Sequence, residues 1–148
     1  MDGLWRAIVS ALLLIPAFFV VSKSVPQRSE KQGNAEIERG KYLVEEVAKC
    51  TECHTPRNAQ GELKRDAWLQ GAPIWIMPVV KIPNWAERAP ALAGFPSLSE
   101  EQGERVLEQG TGPEGEVLRP PMHIYHMTHA DAKAIVAYLK SLPAAQEK

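Results

Sequence analysis

Residues 50–54 read Cys-Thr-Glu-Cys-His and contain the only two cysteines among the 148 residues of the chain. A C-x-x-C-H pentapeptide is the attachment signature of c-type haem, in which each thiol bonds to a vinyl group and the imidazole coordinates the iron. Cys50 and Cys53 are three residues apart, so on a helical turn they face the same side, with His54 one step further round. The spacing predicts that all three groups converge on one porphyrin.

Other chemistries also use a C-x-x-C pair. A thioredoxin-like redox pair would follow a strand of a βαβ unit, and no such pattern precedes Cys50. A short-range disulfide is a further alternative. A structural zinc module is the more serious one, because two of His123, His126 and His129 could complete a tetrahedral site with the two thiolates. Haem attachment remains the favoured interpretation.

The second axial ligand of the iron decides what a haem protein can do. A strong ligand gives an electron carrier, whereas an open position gives a haem enzyme or a gas sensor. Met122 follows two consecutive prolines, which restrict the chain and lower the entropy lost when a thioether is held at the iron. We therefore predict Met122 as the ligand. The other candidates are Met77, Met127, His123, His126 and His129.

The N-terminal part of the chain is strongly apolar. The run from Ala7 to Val21 is interrupted only by Ser10 and Pro16. It is longer than a typical signal-peptide core and shorter than a full span of ~20 residues, so we interpret residues 1–22 as a membrane anchor or a signal peptide. The remainder is then expected in the bacterial periplasm, tethered to the inner membrane. In an exported protein a free C-x-x-C pair would oxidise, which favours haem attachment.

The composition after this segment divides the chain further. Residues 22–34 are polar and contain Pro26 and Gly33, which is typical of a flexible tether. The net charge of −1 and the lack of a basic, aromatic-rich patch give no indication of nucleic-acid binding. The predicted organisation is a linker over 23–34, one folded domain over 35–143 and a tail over 144–148.

The domain is predicted to be all-α, with three main helices and a long irregular loop around a covalent haem. The first helix runs from about Ala35 to Lys49, with Asn34 as its N-cap. The second opens with a capping box and covers Ser99 to about Glu108. Thr128 to Asp131 are predicted to form a second cap of the same type, and the last helix then runs to about Leu142 and is stopped by Pro143.

The loop over residues 55–96 contains nine proline and glycine residues, which exclude a long helix. It also carries Trp68, Trp75 and Trp85. These large side chains either cover the cofactor or pack the loop against the helices, and the sequence leaves both interpretations open.

Taken together, these motifs resemble class I cytochromes c, and more narrowly the cytochrome c domains in the multi-haem subunits of membrane-bound alcohol dehydrogenases. The similarity covers about residues 36–143. It rests on Arg39-Gly-Lys-Tyr-Leu-Val44, Cys50-Thr-Glu-Cys-His-Thr-Pro-Arg57, Arg119-Pro-Pro-Met122 and Ile135-Val-Ala-Tyr-Leu-Lys-Ser-Leu-Pro143. Those subunits carry three C-x-x-C-H motifs and this chain has one, so the resemblance is to a single-haem relative.

The resemblance implies roles for particular residues. His54 would be the proximal and Met122 the distal ligand of the iron. The carbonyl of Pro90 would accept the Nδ1 proton of His54 and fix the ring, and Leu92 would pack on the haem. Gly40 would permit close approach of the first and last helices.

The expected function is that of a mono-haem c-type cytochrome carrying single electrons. Its partners would be redox proteins, with a dehydrogenase or a respiratory complex as donor and an oxidase or another protein as acceptor. No catalytic acid–base pair or nucleophile is evident, so no enzymatic activity is predicted. The alternatives are an open-site haem protein and, less favoured, the zinc module.

Overall fold

The structure is a computed structural model that describes residues 27–144. It is mainly helical, as predicted. Along the chain it contains helix α1 (Gln27–Tyr42), a π-helical turn (Leu43–Val47), helix α2 (Cys50–His54), a 3-10 turn (Arg65–Ala67), strands β1 (Ala72–Pro73) and β2 (Arg88–Ala89), helix α3 (Glu100–Gln109) and helix α4 (His129–Ser141). The three-helix prediction is therefore incomplete, because the attachment segment forms a short helix of its own.

The first helix differs from its prediction at both ends. It begins at Gln27, so the predicted tether over 23–34 is helical from that residue onward. The glutamines, glutamate and lysine that follow Pro26 are good helix formers, and Gly33 costs only about 1 kcal/mol against alanine. At the other end the α-helix gives way to the π-helical turn and then to Lys49, whose φ of 52° is left-handed. This break turns the chain and starts α2.

Helices α1 and α4 cross closely, and the core of the domain lies along their contact. A Cβ atom on Gly40 would collide with the backbone carbonyl of Ala134, so only glycine allows this approach. Buried side chains of both helices and of the loops meet there. The largest fully buried apolar side chains are Val44, Leu69, Ile135 and Val136, none of which exposes more than 1% of its surface.

The predicted capping box of α3 is confirmed, whereas the predicted cap of α4 is formed by the Thr128 hydroxyl without the reciprocal side-chain bond. The Ser99 hydroxyl accepts from the backbone N–H of Gln102 at 3.2 Å, and the Gln102 side chain accepts from the N–H of Ser99 at 2.8 Å. The Thr128 hydroxyl accepts from the N–H of Asp131 at 3.2 Å. Each cap satisfies amide groups that a helix start leaves without partners, which fixes where the two helices begin.

The long loop after α2 is irregular, as its prolines predict, apart from the 3-10 turn, an isolated bridge between Arg57 and Leu63, and one small ladder. Strands β1 and β2 pair antiparallel, with Ala72 opposite Ala89 and Pro73 opposite Arg88. The predicted N-terminal segment 1–22 lies outside the described residues. Between residues 27 and 144, no helix has both the length and the apolar character needed to cross a bilayer.

Candidate haem site

Helix α2 presents the three groups of the attachment motif. Cys50 and His54 are buried, with 8% and 6% of their surfaces exposed, and Cys53 is half-buried. The left-handed conformation of Lys49 directs the helix into the domain rather than along α1. Neither thiol is paired with the other, so both can bond to a haem.

The orientation of His54 is set by the segment that follows β2. Its Nδ1 lies 2.8 Å from the carbonyl oxygen of Pro90. Because a carbonyl can only accept, Nδ1 carries the proton and Nε2 is left as the coordinating nitrogen. Burial lowers the pKa of His54, against the opposing effect of the Pro90 hydrogen bond, and so favours the neutral ring that a metal requires. The contact implied by the family resemblance is therefore present.

Backbone contacts hold Pro90 in place beside α2. The N–H of Gly71 donates to the carbonyl of His54 at 2.8 Å, and the N–H of Leu92 donates to the carbonyl of Leu69 at 2.8 Å. Gly71 has a φ of 79°, and a Cβ there would lie 2.9 Å from the backbone nitrogen of Ala91. A glycine is thus needed for the two segments to approach each other.

A cavity of about 590 Å³ opens beside the motif, within the range of ~300–1,000 Å³ that cofactor sites occupy. Cys50, Cys53 and His54 line it together with Met122, so the structure brings all four predicted haem-binding residues to one site. Leu92, predicted to pack on the haem, also lines it. Further apolar lining comes from Phe95, Val106, Leu118, Pro121 and Tyr125.

Hydrogen bonds to residues 84–86 hold the segment that carries Met122. The guanidinium of Arg119 donates to the carbonyls of Asn84 and Trp85 at 3.2 and 3.3 Å. The N–H of Ala86 donates to the carbonyl of Pro120 at 2.7 Å. These contacts place Met122 against the cavity.

Tyr125 fastens the same segment on its other side. Its hydroxyl donates to the carbonyl of Ala48 at 2.8 Å, just before the attachment motif. Burial raises the pKa of Tyr125 to about 12, so the hydroxyl keeps its proton at neutral pH. Sequence reasoning did not predict this role for Tyr125, although the residue lies three positions after Met122, the predicted ligand.

The thiols are held in their neutral form. Burial raises the pKa of Cys50 to about 11 and also raises that of Cys53. A nucleophilic cysteine needs the opposite shift, towards the thiolate. The site therefore does not favour the redox-pair interpretation.

The zinc site is not assembled either. Within residues 30–144, one group of three metal-type side chains has its donor atoms within 4.8 Å of one another: Glu104, Glu108 and His129. This group contains no cysteine. The ring of His129 pairs with Glu108 at 2.8 Å. His123 packs edge-on against the ring of Tyr125, with 4.9 Å between centroids. His126 is exposed.

None of the three loop tryptophans lines the cavity. Trp68 packs on the core, and its Nε1 donates to the carboxylate of Glu45 at 3.2 Å. The same carboxylate accepts from the hydroxyl of Tyr138 at 2.6 Å, so it joins the π-helical turn, the loop and α4. Trp75 and Trp85 lie further along the loop. Trp68 therefore packs the loop against the helices, which is one of the two interpretations that the sequence left open.

The fold and the site together define a c-type cytochrome domain, and comparison with known proteins agrees. The cytochrome c family model matches residues 37–143, so the chain belongs to the cytochrome c family. Membership implies covalently bound haem c, which the thiols, the ring of His54 and the apolar cavity fit.

Several curated proteins are similar to the chain. The fructose dehydrogenase cytochrome subunit of Gluconobacter japonicus is 36% identical over 121 residues, covering 77% of this chain and 24% of that protein. A diheme cytochrome c-type protein of Cereibacter sphaeroides is 35% identical over 116 residues, covering 74% of this chain and 36% of that one. The alcohol dehydrogenase (quinone) cytochrome c subunit of Gluconobacter oxydans is 31% identical, with coverage of 98% and 30%. The chain thus spans about a quarter to a third of the length of these relatives.

Proposed function

We propose that the protein is a mono-haem c-type cytochrome that carries single electrons on the periplasmic side of the bacterial inner membrane. The observation that carries this proposal is the meeting of four groups at one apolar cavity: the two thiols, the ring of His54 and the side chain of Met122. The single C-x-x-C-H motif in these 148 residues supports the attachment of one haem.

Each residue has a distinct task in this proposal. Cys50 and Cys53 attach the haem, while His54 through Nε2 and Met122 through its sulfur hold the iron. The bound haem supplies one-electron redox chemistry at its iron. Burial keeps the ring of His54 neutral, and the Pro90 carbonyl orients it. The sulfur of Met122 favours the reduced state and raises the potential.

The partners follow from the chemistry and from the relatives. Two of the similar proteins are cytochrome subunits of dehydrogenases, which supports a dehydrogenase as the electron donor. A respiratory complex is the other possible donor, and an oxidase or another redox protein would be the acceptor. We assign no catalytic activity to the chain itself. The apolar segment within residues 1–22 would export the domain and tether it to the membrane.

The test is the intact mass and visible spectrum of the chain produced with c-haem maturation. We expect the mass of one covalent haem and a weak far-red band from sulfur-to-iron charge transfer. Rapid binding of carbon monoxide by the ferrous protein would instead indicate an open site. Loss of the haem on denaturing electrophoresis would refute covalent attachment. A haem count other than one would refute the mono-haem assignment.

A further inference from the structure

One loop of the protein exposes an apolar surface that the haem site does not use. We call residues 74–85, which follow β1, the tryptophan loop. Of the nine exposed large apolar side chains described, five lie in this loop: Trp75, Met77, Val79, Val80 and Ile82. Val79 is fully exposed and Met77 is 81% exposed. Contiguous apolar exposure of this kind marks an interaction site more often than chance.

Trp75 is exposed and yet held in position. Its surface is 57% exposed, while its Nε1 donates to the carbonyl of Glu52 at 3.0 Å. The guanidinium of Arg57 lies over its ring, 4.7 Å from the centroid, and also pairs with the Glu52 carboxylate. A side chain already fixed in this way loses little entropy on binding. Tryptophan and arginine are also the residue types that most often dominate interface energies.

The base of the tryptophan loop is fixed as well. The Nε1 of Trp85 donates to the carbonyl of Ile76 at 3.3 Å, which closes the loop on itself. Arg119 donates to the carbonyls of Asn84 and Trp85. The exposed apolar side chains therefore belong to a loop whose base is held by hydrogen bonds.

The loop lies at the rim of the haem cavity. Ile74 at its start and Ala86 just after its end both line the cavity. Trp75 contacts the backbone of Glu52, which stands between the two attachment cysteines. Since electron transfer slows steeply with distance, a protein bound to this loop would be placed where transfer is fast.

The charges around the loop are mostly positive. Lys81, Arg88 and Arg119 are exposed there, and Arg57 lies over the ring of Trp75. The acidic neighbours are Glu87 and Glu52, of which Glu52 is paired with Arg57. The chain as a whole has a net charge of −1, so this local excess is not a general property of the surface. A complementary face would combine an apolar centre with an acidic rim.

We propose that the tryptophan loop is the docking surface for a separate electron-transfer protein whose own face is apolar with an acidic rim. The inference rests on the proposed electron-carrier function. A stable dimer interface buries roughly 800 Å² on each partner, whereas transient redox encounters use less. Five exposed side chains on one loop suit a transient partner better than a second copy of this chain.

The probe is a copper electron-transfer protein whose copper lies under an apolar face with an acidic rim. A version with its rim acids changed to glutamine is the matched probe. The full-length, haem-loaded chain is mixed with each probe in detergent and in phosphatidylglycerol nanodiscs. The measurements are the bimolecular electron-transfer rate by stopped flow and, with both proteins reduced, the dissociation constant by calorimetry.

Two test variants and two matched controls alter side chains that are exposed to solvent, so folding is preserved. Val79→Ser with Val80→Ser is expected to slow transfer and weaken binding about tenfold. Val47→Ser, at a valine 54% exposed outside the loop, should change both by less than twofold. Lys81→Glu is expected to slow transfer about fivefold at low salt, while Lys41→Glu on α1 makes the same charge change away from the loop and should have little effect.

The outcomes separate the two proposals. If every variant keeps the covalent haem and the far-red band but Val79→Ser/Val80→Ser reacts at the unaltered rate, the docking inference fails and the electron-carrier function stands. Equal slowing by Val47→Ser or equal rates with both probes would also overturn it. A dimer abolished by the valine changes would assign the loop to a second copy. A rate difference seen only in nanodiscs would assign it to the lipid surface.

Discussion

His54 donates its Nδ1 proton to the carbonyl oxygen of Pro90 across 2.8 Å, although 36 residues separate the two along the chain. The contact exists because Gly71, in a left-handed conformation, lets the segment after β2 lie against the end of α2. The ring of the proposed proximal ligand is thus positioned with the help of a glycine that bonds to the backbone of His54.

Gly71→Ala is expected to disturb this arrangement. The added Cβ would lie 2.9 Å from the nitrogen of Ala91, and the φ of 79° would be strained for alanine. We expect a loss of ~1–3 kcal/mol of stability in urea unfolding and a shifted midpoint potential, because the Pro90 carbonyl moves. Gly61→Ala is the control, since Gly61 has a φ of 83° with no atom within 4 Å of the added Cβ. Equal effects of both changes would show that backbone strain alone is responsible.

Met122→Ala should open the distal side of the iron. The far-red band should disappear and the ferrous protein should bind carbon monoxide. The potential should fall by roughly 0.1–0.4 V, within the ~0.8 V range over which axial ligands set it. Met127→Leu is the matched control, because Met127 packs against the core and does not line the cavity. Retention of the band in Met122→Ala would assign the ligand elsewhere.

Tyr125→Phe removes the hydroxyl that reaches the carbonyl of Ala48. We expect a loss of ~0.5–1.5 kcal/mol at neutral pH, the usual net value of one hydrogen bond. A broadened far-red band would report a looser Met122. Unchanged stability and an unchanged spectrum would show that the hydroxyl does not fasten the ligand segment.

The same tyrosine makes stability depend on alkaline pH. Burial raises its pKa from 10.0 to about 12 in the folded protein, so the folded state holds this proton more tightly than the unfolded state does. The stabilisation is therefore complete below pH 10 and is lost as pH rises through about 12. The free energy of unfolding in urea should therefore fall less steeply with pH across this range for Tyr125→Phe than for the unaltered chain. Parallel curves would contradict the assignment.

Glu45→Ala tests the carboxylate that joins three parts of the fold. It leaves the Nε1 of Trp68 and the hydroxyl of Tyr138 without their acceptor. Hydrogen bonds to charged groups contribute ~1.5–3 kcal/mol each, so we expect a loss of at least ~2 kcal/mol in thermal or urea unfolding. Glu46→Ala, on the same π-helical turn, removes only an exposed pair with Lys49 and should cost less than ~1 kcal/mol. Similar losses would contradict this role.

Sequence reasoning succeeded where the signal is local. The capping box at Ser99 and the cap at Thr128 could be located because their partners lie three residues away. The attachment motif could be recognised because it is contiguous, and the structure places its two cysteines and its histidine at one cavity. Met122 was predicted from its prolines and from the family resemblance, and the structure places it at the same cavity.

It failed where the determining contact is distant. The break at Lys49 depends on how α2 meets the rest of the domain, and the periodicity of residues 35–49 gave no sign of it. Glu45 pairs with Tyr138, 93 residues away. The exposure of the tryptophan loop was also missed, because a proline-rich apolar segment has the same sequence pattern whether its side chains are buried or exposed to solvent.

Three hydrogen bonds join the tryptophan loop and the residue after it to the segment that ends at Met122: two from Arg119 and one from Ala86 to Pro120. The surface proposed to meet a partner and the sulfur proposed to hold the iron are therefore parts of one mechanical unit. A partner that displaced the tryptophan loop would also displace the Met122 sulfur, and the reduction potential of the iron would then change with docking.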